Sequence, residues 1–271
     1  MGHPTERVKE RDNVEHLLAW YEAINSATLV EVNNVEDGVV SRNGTERYSV
    51  PGDMPNLLWA AATGDNITLA RITAPSLGVR RSTMDIVPRQ QGDEVFDLTH
   101  PQVMVLPRVI SVAPSEELAF EAAEEGATTD VDGFLAITDG NRAPMPPGEI
   151  RQIRGTGTTT LGAHAWTGVV LTPELTLEPG LYEMVGFYAE SAGAIVARAN
   201  LESQRGRPGL PALAGAAVED AYDFDPTIFD RLMWYSMGKF THTTLPEFEF
   251  FSDAADTAEV VTIFAIRLGP A

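Results

Sequence analysis

Short runs of alternating apolar and polar residues, separated by turn residues, cover most of the chain after its first 27 residues. Runs of this length and alternation predict β-strands. The predicted strands span 28–35, 39–50, 66–74, 82–88, 94–98, 103–112, 134–139, 149–155, 247–251 and 260–268, with three more within 166–201. Asn43-Gly44 divides the second run and predicts a β-hairpin. Because no strands alternate with amphipathic helices, the pattern favours an all-β antiparallel sandwich over a parallel α/β sheet.

The first 25 residues show a different pattern. Apolar residues recur there at helical spacing, and Thr5 can cap a helix; they are Val14, Leu17, Leu18, Tyr21 and Ile24. We expect an amphipathic helical arm over 1–25 that packs on the next domain or docks on a neighbouring subunit. Residues 26–271 are predicted as the β-sandwich domain. A single sandwich with insertions is favoured over two stacked sandwiches dividing near 126–148.

Two segments do not read as strands. Residues 116–129 are acidic and rich in alanine, which indicates a short helix or an exposed flap. Residues 204–230 mix glycine, proline and alanine with a run of aspartates. A connection this long is uncommon in a compact domain, so we expect it to contact another part of the protein or a partner.

The charge of the chain is strongly unbalanced. Thirty-nine acidic residues face 19 basic ones, giving a formal net charge of -20, and Lys9 and Lys239 are the only lysines. Such a surface repels nucleic acid phosphates and anionic lipid headgroups, so no direct nucleic acid binding is expected. The acidic excess and the scarcity of lysine fit a salt-rich source, because an acidic surface stays hydrated when high salt screens the repulsion between its carboxylates. A GC-rich genome, which favours arginine codons, is the alternative explanation.

Three kinds of feature are missing from the sequence. There is no cysteine, so disulfides and thiolate metal sites are excluded. The N-terminal residues contain no continuous apolar run, so we expect no secretory signal peptide. No stretch approaches 18 consecutive apolar residues, so we expect no transmembrane helix.

Catalytic motifs are also missing. A nucleophilic triad needs an activated serine or cysteine near a histidine, and no Gly-x-Ser-x-Gly sequence occurs. The segment 154–160 (RGTGTTT) resembles a phosphate loop but lacks its lysine. The histidines are dispersed, without metal-ligand spacing; they are His3, His16, His100, His164 and His242. We therefore assign no catalytic, cofactor or metal residue and expect no enzyme and no cofactor.

Two acidic segments could offer oxygen ligands to a divalent cation. In 128–139, Asp130, Asp132 and Gly133 fall at EF-hand loop positions, but the first and last ligands of that loop are replaced. A solvated β-turn is the favoured interpretation. The segment 219–230 also carries many carboxylates, which are Glu219, Asp220, Asp223, Asp225 and Asp230. A cation site and a plain acidic surface both remain open for the two segments.

Aromatic residues concentrate near the C-terminus. They are Trp234, Tyr235, Phe240, Phe248, Phe250 and Phe251. Exposed aromatic rings would fit a carbohydrate-binding module. Since strand alternation places Phe248 and Phe250 on one face, a core or a subunit interface is the favoured interpretation.

The C-terminal third, 177–268, resembles jelly-roll-type virion structural proteins. The similarity lies in the order of a Gly-bounded strand pair (LEPGLYEMVGFYAESAGAIVARANL), a Gly/Pro-rich loop, a Gly-x-Phe strand, a Leu-Pro turn and a final apolar strand. The resemblance implies a jelly-roll sandwich that associates as trimers or pentamers with itself and other virion proteins. It also implies a location in the virion after assembly in the host cytoplasm.

The leading hypothesis is therefore a non-enzymatic structural protein of a virus particle, as coat or decoration protein. An acidic surface fits a virus of a halophilic archaeon. One alternative is a β-sandwich module that binds carbohydrate or a cell surface. A third hypothesis is an enzyme with an acid pair or divalent metal, drawn from Asp130, Asp132, Asp223 and Asp225.

Overall fold

The computed structural model describes residues 15–36, 47–64, 66–79, 84–86, 89–90, 104–126, 128–140, 142–191, 193–201, 204, 206–212 and 231–269. These residues form an all-β structure whose helical residues are α1 (Pro75–Val79) and positions 231–232, which confirms the predicted fold class at that level. The first strands are β1 (Glu15–Ile24), β2 (Val30–Glu31), β3 (Arg47–Ser49), β4 (Asn56–Gly64), β5 (Ile67–Thr73), β6 (Met84–Ile86), β7 (Arg89–Gln90), β8 (Met104–Ser111), β9 (Glu117–Glu124) and β10 (Thr129–Thr138). The remaining strands are β11 (Ile150–Thr156), β12 (Trp166–Val169), β13 (Thr172–Pro173), β14 (Leu181–Glu190), β15 (Ala194–Asn200), β16 (Gly209–Pro211), β17 (Gly238–Thr241), β18 (Glu247–Ser252) and β19 (Val260–Gly269).

The described strands form four sheets, two in each half of the chain. Sheet A has the order β1-β10-β4, with β8 and the short parallel strand β7 both on β4. Sheet B has the order β2-β9-β5-β6, with β3 also on β9. In the C-terminal half, sheet C is β12-β18-β15-β16 and sheet D is β13-β11-β19-β14-β17. Apart from the two-residue strands β7 and β13, the second half repeats the strand order of the first, with β12 in the place that β2 and β3 share.

The sheets stack in the order B, A, C, D. Strand β10 of sheet A shows this, because Val131 and Leu135 pack in the core shared with sheet B, whereas Phe134 packs in the core of the C-terminal half. The Phe134 ring meets Phe251 of β18 edge-on, with centroids 5.3 Å apart. Sheets A and C are thus each covered on both faces, while B and D each have one outer face.

The opposite face of β18 builds the core between sheets C and D. Phe248 meets Phe187 of β14 edge-on, at a centroid distance of 4.9 Å, and both rings are fully buried. Side chains alternate along β18, whose sequence is Glu-Phe-Glu-Phe-Phe-Ser. Phe248 therefore packs toward sheet D, whereas Phe251 packs toward sheet A.

The helical arm predicted over 1–25 is wrong for the part that the structure describes, because Glu15–Ile24 form strand β1. This strand pairs with β10 along its whole length. The other edge of β1 is also hydrogen-bonded, because Tyr21 N donates to Asn33 O and Val35 N donates to Ala19 O. A strand buried on both faces has a nearly continuous apolar run, which can be mistaken for a helical pattern. Residues 1–14 lie outside the described residues.

Two further expectations need correction. Most of the segment 116–129, expected as a helix or flap, is strand β9, in which Glu117 is exposed and Glu121 half-buried while Phe120, Ala122 and Glu124 are buried. The segment 204–230, expected as a loop, contains strand β16, and its residues 213–230 lie outside the described residues.

Strand β4 has no counterpart in the predicted set, because its sequence NLLWAAATG shows no alternation. The predicted hairpin at Asn43-Gly44 and strand 94–98 also lie outside.

The spacing between sheets A and B gives a direct test of this packing. A Cβ atom on Gly133 would meet the ring of Phe120 at 2.6 Å. We expect Gly133→Ala to lower the free energy of unfolding by about 1 to 3 kcal/mol, because the buried ring has no room to move. Urea denaturation measures this change.

Gly78 in α1 is the matched control. A Cβ atom there meets nothing within 4 Å, so Gly78→Ala should leave stability unchanged or raise it by up to about 1 kcal/mol. Equal effects of the two substitutions would contradict the described packing of β10 on sheet B.

Candidate functional site

The most distinctive polar group of the structure lies between sheets A and C. Arg198 of β15 is fully buried. Its Nη1 donates to Glu36 Oε2 at 2.7 Å and to the backbone oxygen of Leu17 at 2.9 Å. Its Nε donates to Glu249 Oε2 at 2.5 Å. One side chain of the C-terminal half is thereby tied to the backbone and a carboxylate of the N-terminal half.

Glu36 is the N-terminal partner of Arg198 and is nearly saturated with donors. Its Oε1 accepts from Ala19 N at 2.8 Å and from Trp166 Nε1 at 3.1 Å, and His16 Nε2 lies 3.5 Å from Oε2. Burial alone would raise the pKa of Glu36, but the hydrogen bond with His16 and the charge of Arg198 together lower it. Glu36 is therefore held as a buried carboxylate that joins the two halves.

The remaining contacts of this group involve the Trp166 ring and Arg207. The Arg198 guanidinium carbon lies 3.8 Å from the centroid of the Trp166 ring, in a cation–π arrangement. Glu249 also accepts from Arg207 Nη1 at 2.9 Å. Buried charges of opposite sign stabilise a structure only when such geometry satisfies each of them. We call this group, centred on Arg198, Glu36 and Glu249, the arginine clamp.

A second polar group lies in the same layer and contains a histidine. His164 Nδ1 lies 3.1 Å from Asp132 Oδ1, and His164 Nε2 lies 3.7 Å from Asp130 Oδ2. The His164 ring stacks on Tyr21, with centroids 3.9 Å apart and an interplanar angle of 9°. The Tyr21 hydroxyl donates to Asp130 Oδ1 at 2.9 Å. The histidine belongs to the C-terminal half, whereas both aspartates and the tyrosine belong to sheet A.

Burial and pairing shift the pKa values of both members of this histidine group. Asp132 is 1% exposed, and its burial raises the pKa to about 6 against the opposing effect of His164. The hydrogen bond to Asp132 raises the pKa of His164. Because both ring nitrogens face carboxylates, the imidazole is arranged to hold a positive charge between the halves. It does not present a free nitrogen to a substrate.

A third polar group joins the same two halves. Glu15 of β1 is 1% exposed, and its Oε2 accepts from the Tyr235 hydroxyl at 2.6 Å. Arg142, in the connection between β10 and β11, places Nη2 3.6 Å from the same oxygen and lies over the Tyr235 ring at 4.2 Å. Burial raises the pKa of Glu15, while Arg142 and Tyr235 act in the opposite direction.

A cavity of about 730 Å³ lies at one end of the C-terminal half. It is lined by the β12–β13 connection, the start of β14, the end of β15 and the β17–β18 turn. Its lining combines buried apolar side chains with hydroxyl, amide, imidazole and charged groups. His242, which the sequence left without a role, lies here and accepts from Gly180 N at 3.2 Å through its Nδ1.

The acidic segment 128–139 does not form the turn or calcium loop considered from the sequence. Nearly all of it is strand β10, with Asp130 and Asp132 directed toward sheet C and Gly133 toward Phe120 of sheet B. A straight strand cannot wrap its carboxylates around one ion as a loop does. Within the part of the chain that the structure describes, no group of three acidic or histidine side chains is arranged to hold a metal ion.

The other residues singled out from the sequence have more ordinary places. Phe248, Phe250 and Phe251 are fully buried and Tyr235 and Phe240 nearly so, as the core interpretation predicts. The segment 154–160 consists of the last three residues of β11 and four residues of irregular chain, and no helix follows it directly. His3, His100 and the carboxylates of 219–230 lie outside the described residues.

Sequence reasoning missed the arginine clamp altogether. The available signal is Arg198 itself, an arginine inside the apolar strand sequence AIVARAN. Both partners are far away in the sequence. Glu249 lies opposite Arg198 in the pairing of β15 with β18, whereas Glu36 becomes a neighbour only when sheets A and C stack.

Comparison with known proteins adds little. No family model and no curated protein matches the chain. Among solved structures, the crystal structure of the major capsid protein P2 from bacteriophage PM2 is 10% identical, with a TM-score of 0.24, over 94% of this chain and 98% of that chain. A TM-score this low supports no conclusion about the fold or the role of this chain. The described residues contain no helix long and apolar enough to cross a membrane.

The arginine clamp predicts an unusually large effect of one substitution. Arg198→Met leaves the buried carboxylate of Glu36 without its main cation, so we expect the free energy of unfolding to fall by about 3 to 5 kcal/mol. Arg154→Met is the matched control, because it breaks the exposed pair with Glu174 and should cost less than about 1 kcal/mol. Urea denaturation of both variants measures the difference. Equal losses would show that the clamp contributes no more than a surface pair.

The histidine group predicts a specific pH dependence. Folding raises the pKa of Asp132 from its ordinary value of 3.8 to about 6. The protonated side chain therefore favours the folded state, and this contribution is lost as pH rises from about 4 to 6. Asp132→Asn lacks this contribution. Between about pH 4 and pH 6, its free energy of unfolding should therefore fall less than that of the parent protein, and the difference should reach up to about 3 kcal/mol.

Comparison of each variant with the parent protein removes the contributions of the other carboxyl groups. Glu174→Gln, on the exposed surface, is the control and should keep the pH profile of the parent. Denaturant unfolding at several pH values supplies the profiles. Superimposable profiles for Asp132→Asn and the parent would contradict the assigned burial of Asp132.

Proposed function

We propose that each half of the chain is a jelly roll and that the whole chain is a double jelly roll. A jelly roll has eight strands, which are conventionally lettered B to I along the chain. These strand letters are separate from the sheet names A to D used above. The strands form two sheets, in the orders B-I-D-G and C-H-E-F. In the first half, β1-β10-β4-β8 and β2/β3-β9-β5-β6 fit this order. In the second half, β11-β19-β14-β17 and β12-β18-β15-β16 fit it again. This repeated order is the observation on which the proposed function rests.

The proposed division differs from the domain plan favoured from the sequence. Two stacked sandwiches, separated between β10 and β11, replace a single sandwich with insertions. The N-terminal strand β1 then belongs to the first sandwich and not to an arm. The proposed boundary overlaps the segment 126–148 considered as the alternative.

We infer a structural role in a virus particle, as coat or decoration protein. Jelly rolls occur in viral capsid proteins, lectins and cupins. A cupin needs a site inside its barrel, whereas the space between sheets C and D is filled by rings such as Phe187, Phe248 and Phe250. The C-terminal third also resembles virion structural proteins. The three buried polar groups support a rigid two-part building block, because they are directed at the other half of the same chain.

The same features support a role without catalysis. The histidine that comes nearest to an acid–base group, His164, has its nitrogens turned toward Asp130 and Asp132. The net charge of -20 makes direct contact with packaged nucleic acid unfavourable. We propose that the partners are copies of the chain and other virion proteins. The acidic, lysine-poor surface supports a salt-rich source.

Assembly mass tests this proposal. The purified protein should form a discrete trimer, pentamer or shell-sized particle, measured by light scattering coupled to size exclusion. The measurement is made near 0.1 M salt and near 1 M salt, between which the screening length falls from about 10 Å to about 3 Å. Since carboxylate repulsion weakens with screening, assembly should strengthen in high salt. A monomer under both conditions, at all protein concentrations tested, would contradict the proposed role.

A further inference from the structure

The cavity of the C-terminal half has an apolar floor and a polar rim. Leu171, Leu201 and Phe240 contribute buried side chains to the floor. The rim is formed largely by the turn between β17 and β18, where Thr243 and Thr244 are exposed. Its volume, about 730 Å³, lies within the range usual for small-molecule sites, which combine an apolar lining with a few placed polar groups.

The turn that carries the rim is held by its own hydrogen bonds. Thr244 N donates to Thr241 O at 3.2 Å, and the hydroxyls of Thr241 and Thr243 lie 2.9 Å apart. His242 N donates to Gly180 O at 3.1 Å. A rim fixed in this way loses little conformational freedom when a ligand binds, which favours affinity.

The imidazole of His242 is fixed as well as the turn. Its Nδ1 accepts from Gly180 N at 3.2 Å, so the ring proton of the neutral imidazole lies on Nε2. Each threonine hydroxyl both donates and accepts. The rim therefore offers a mixed and closely spaced set of donors and acceptors.

The charges of the lining argue against an anionic ligand. Lys239 lies 4.0 Å from Glu183 through its Nζ, which offsets its positive charge. Glu247, also in the lining, accepts from Asn200 Nδ2 at 3.5 Å. An anionic ligand would meet this carboxylate and the net charge of -20.

We propose that this cavity binds a neutral saccharide. The apolar floor fits the C–H faces of a sugar ring, and the hydroxyl, imidazole and amide groups of the rim match its hydroxyls in type. This binding activity goes beyond the proposed structural role, because it uses a separate site at the end of the C-terminal half. It would let a particle built from this chain attach to glycans.

The test uses the full-length protein on a glycan array that carries neutral, sialylated and sulfated glycans, followed by titration calorimetry with the strongest neutral glycan. The double variant Thr243→Val with Thr244→Val replaces two exposed hydroxyls by methyl groups. We expect its affinity to fall about tenfold or more, as the loss of two hydrogen bonds predicts. Thr156→Val, an exposed threonine on β11, is the matched control and should bind as the parent does.

Melting temperature and assembly mass show whether the variants are intact. The assembly mass should equal that of the parent, and loss of the exposed hydrogen bond between Thr241 and Thr243 should lower the melting temperature only slightly. Neutral glycan binding that is lost in the double variant and kept in Thr156→Val supports the site. No retained glycan, retention of charged glycans only, or full affinity in the double variant would each overturn it. Failure of the assembly measurement with intact glycan binding would count against the structural role and not against this cavity.

Discussion

The interface between sheets A and C requires a partner for every charged group inside it, because stacking leaves neither sheet a face open to water. An isolated buried charge costs several kcal/mol even after the protein relaxes around it. Arg198 meets this requirement through Glu36, Glu249, the backbone oxygen of Leu17 and the Trp166 ring. The bonds to Glu36 and to the Leu17 oxygen cross between the two halves, and they form only in one relative position of the halves. The requirement for pairing therefore fixes the position of one sandwich on the other.

The apolar part of the interface acts together with these polar groups. Phe134 and Phe251 pack between the sheets, while the histidine group and the Glu15–Tyr235–Arg142 group provide further paired polar contacts between the halves. Apolar burial supplies most of the stabilisation but tolerates sliding, whereas directed hydrogen bonds do not. The two halves are thereby held at one fixed angle.

Strands with one open face are the predictable part of the fold. Ile67–Thr73 and Ile150–Thr156 alternate buried and exposed residues and are found close to where alternation predicts them. Strands in the doubly covered sheet A are the difficult part. The run in Glu15–Ile24 resembles a helix and that in Asn56–Gly64 shows no alternation, since sheets pack on both of their faces. Local sequence carries no information about the second sheet.

The candidate sites show the same limit. The burial of Phe248 and Phe250 follows from alternation. The pairing of Asp132 with His164 joins positions that only the stacking of the two halves brings together. The cavity likewise depends on a turn after β17 approaching the connection after β12. Such contacts need the order of the sheets, which no single segment encodes.

Differential scanning calorimetry tests the central claim, that the two halves form one body through their paired interface. If the two halves unfold as one cooperative unit, heating gives one transition whose calorimetric enthalpy equals the van't Hoff enthalpy. The measurement is made under conditions where the assembly state does not change on heating. Two separate transitions, one for each half, would show that the interface does not join the halves into one unit.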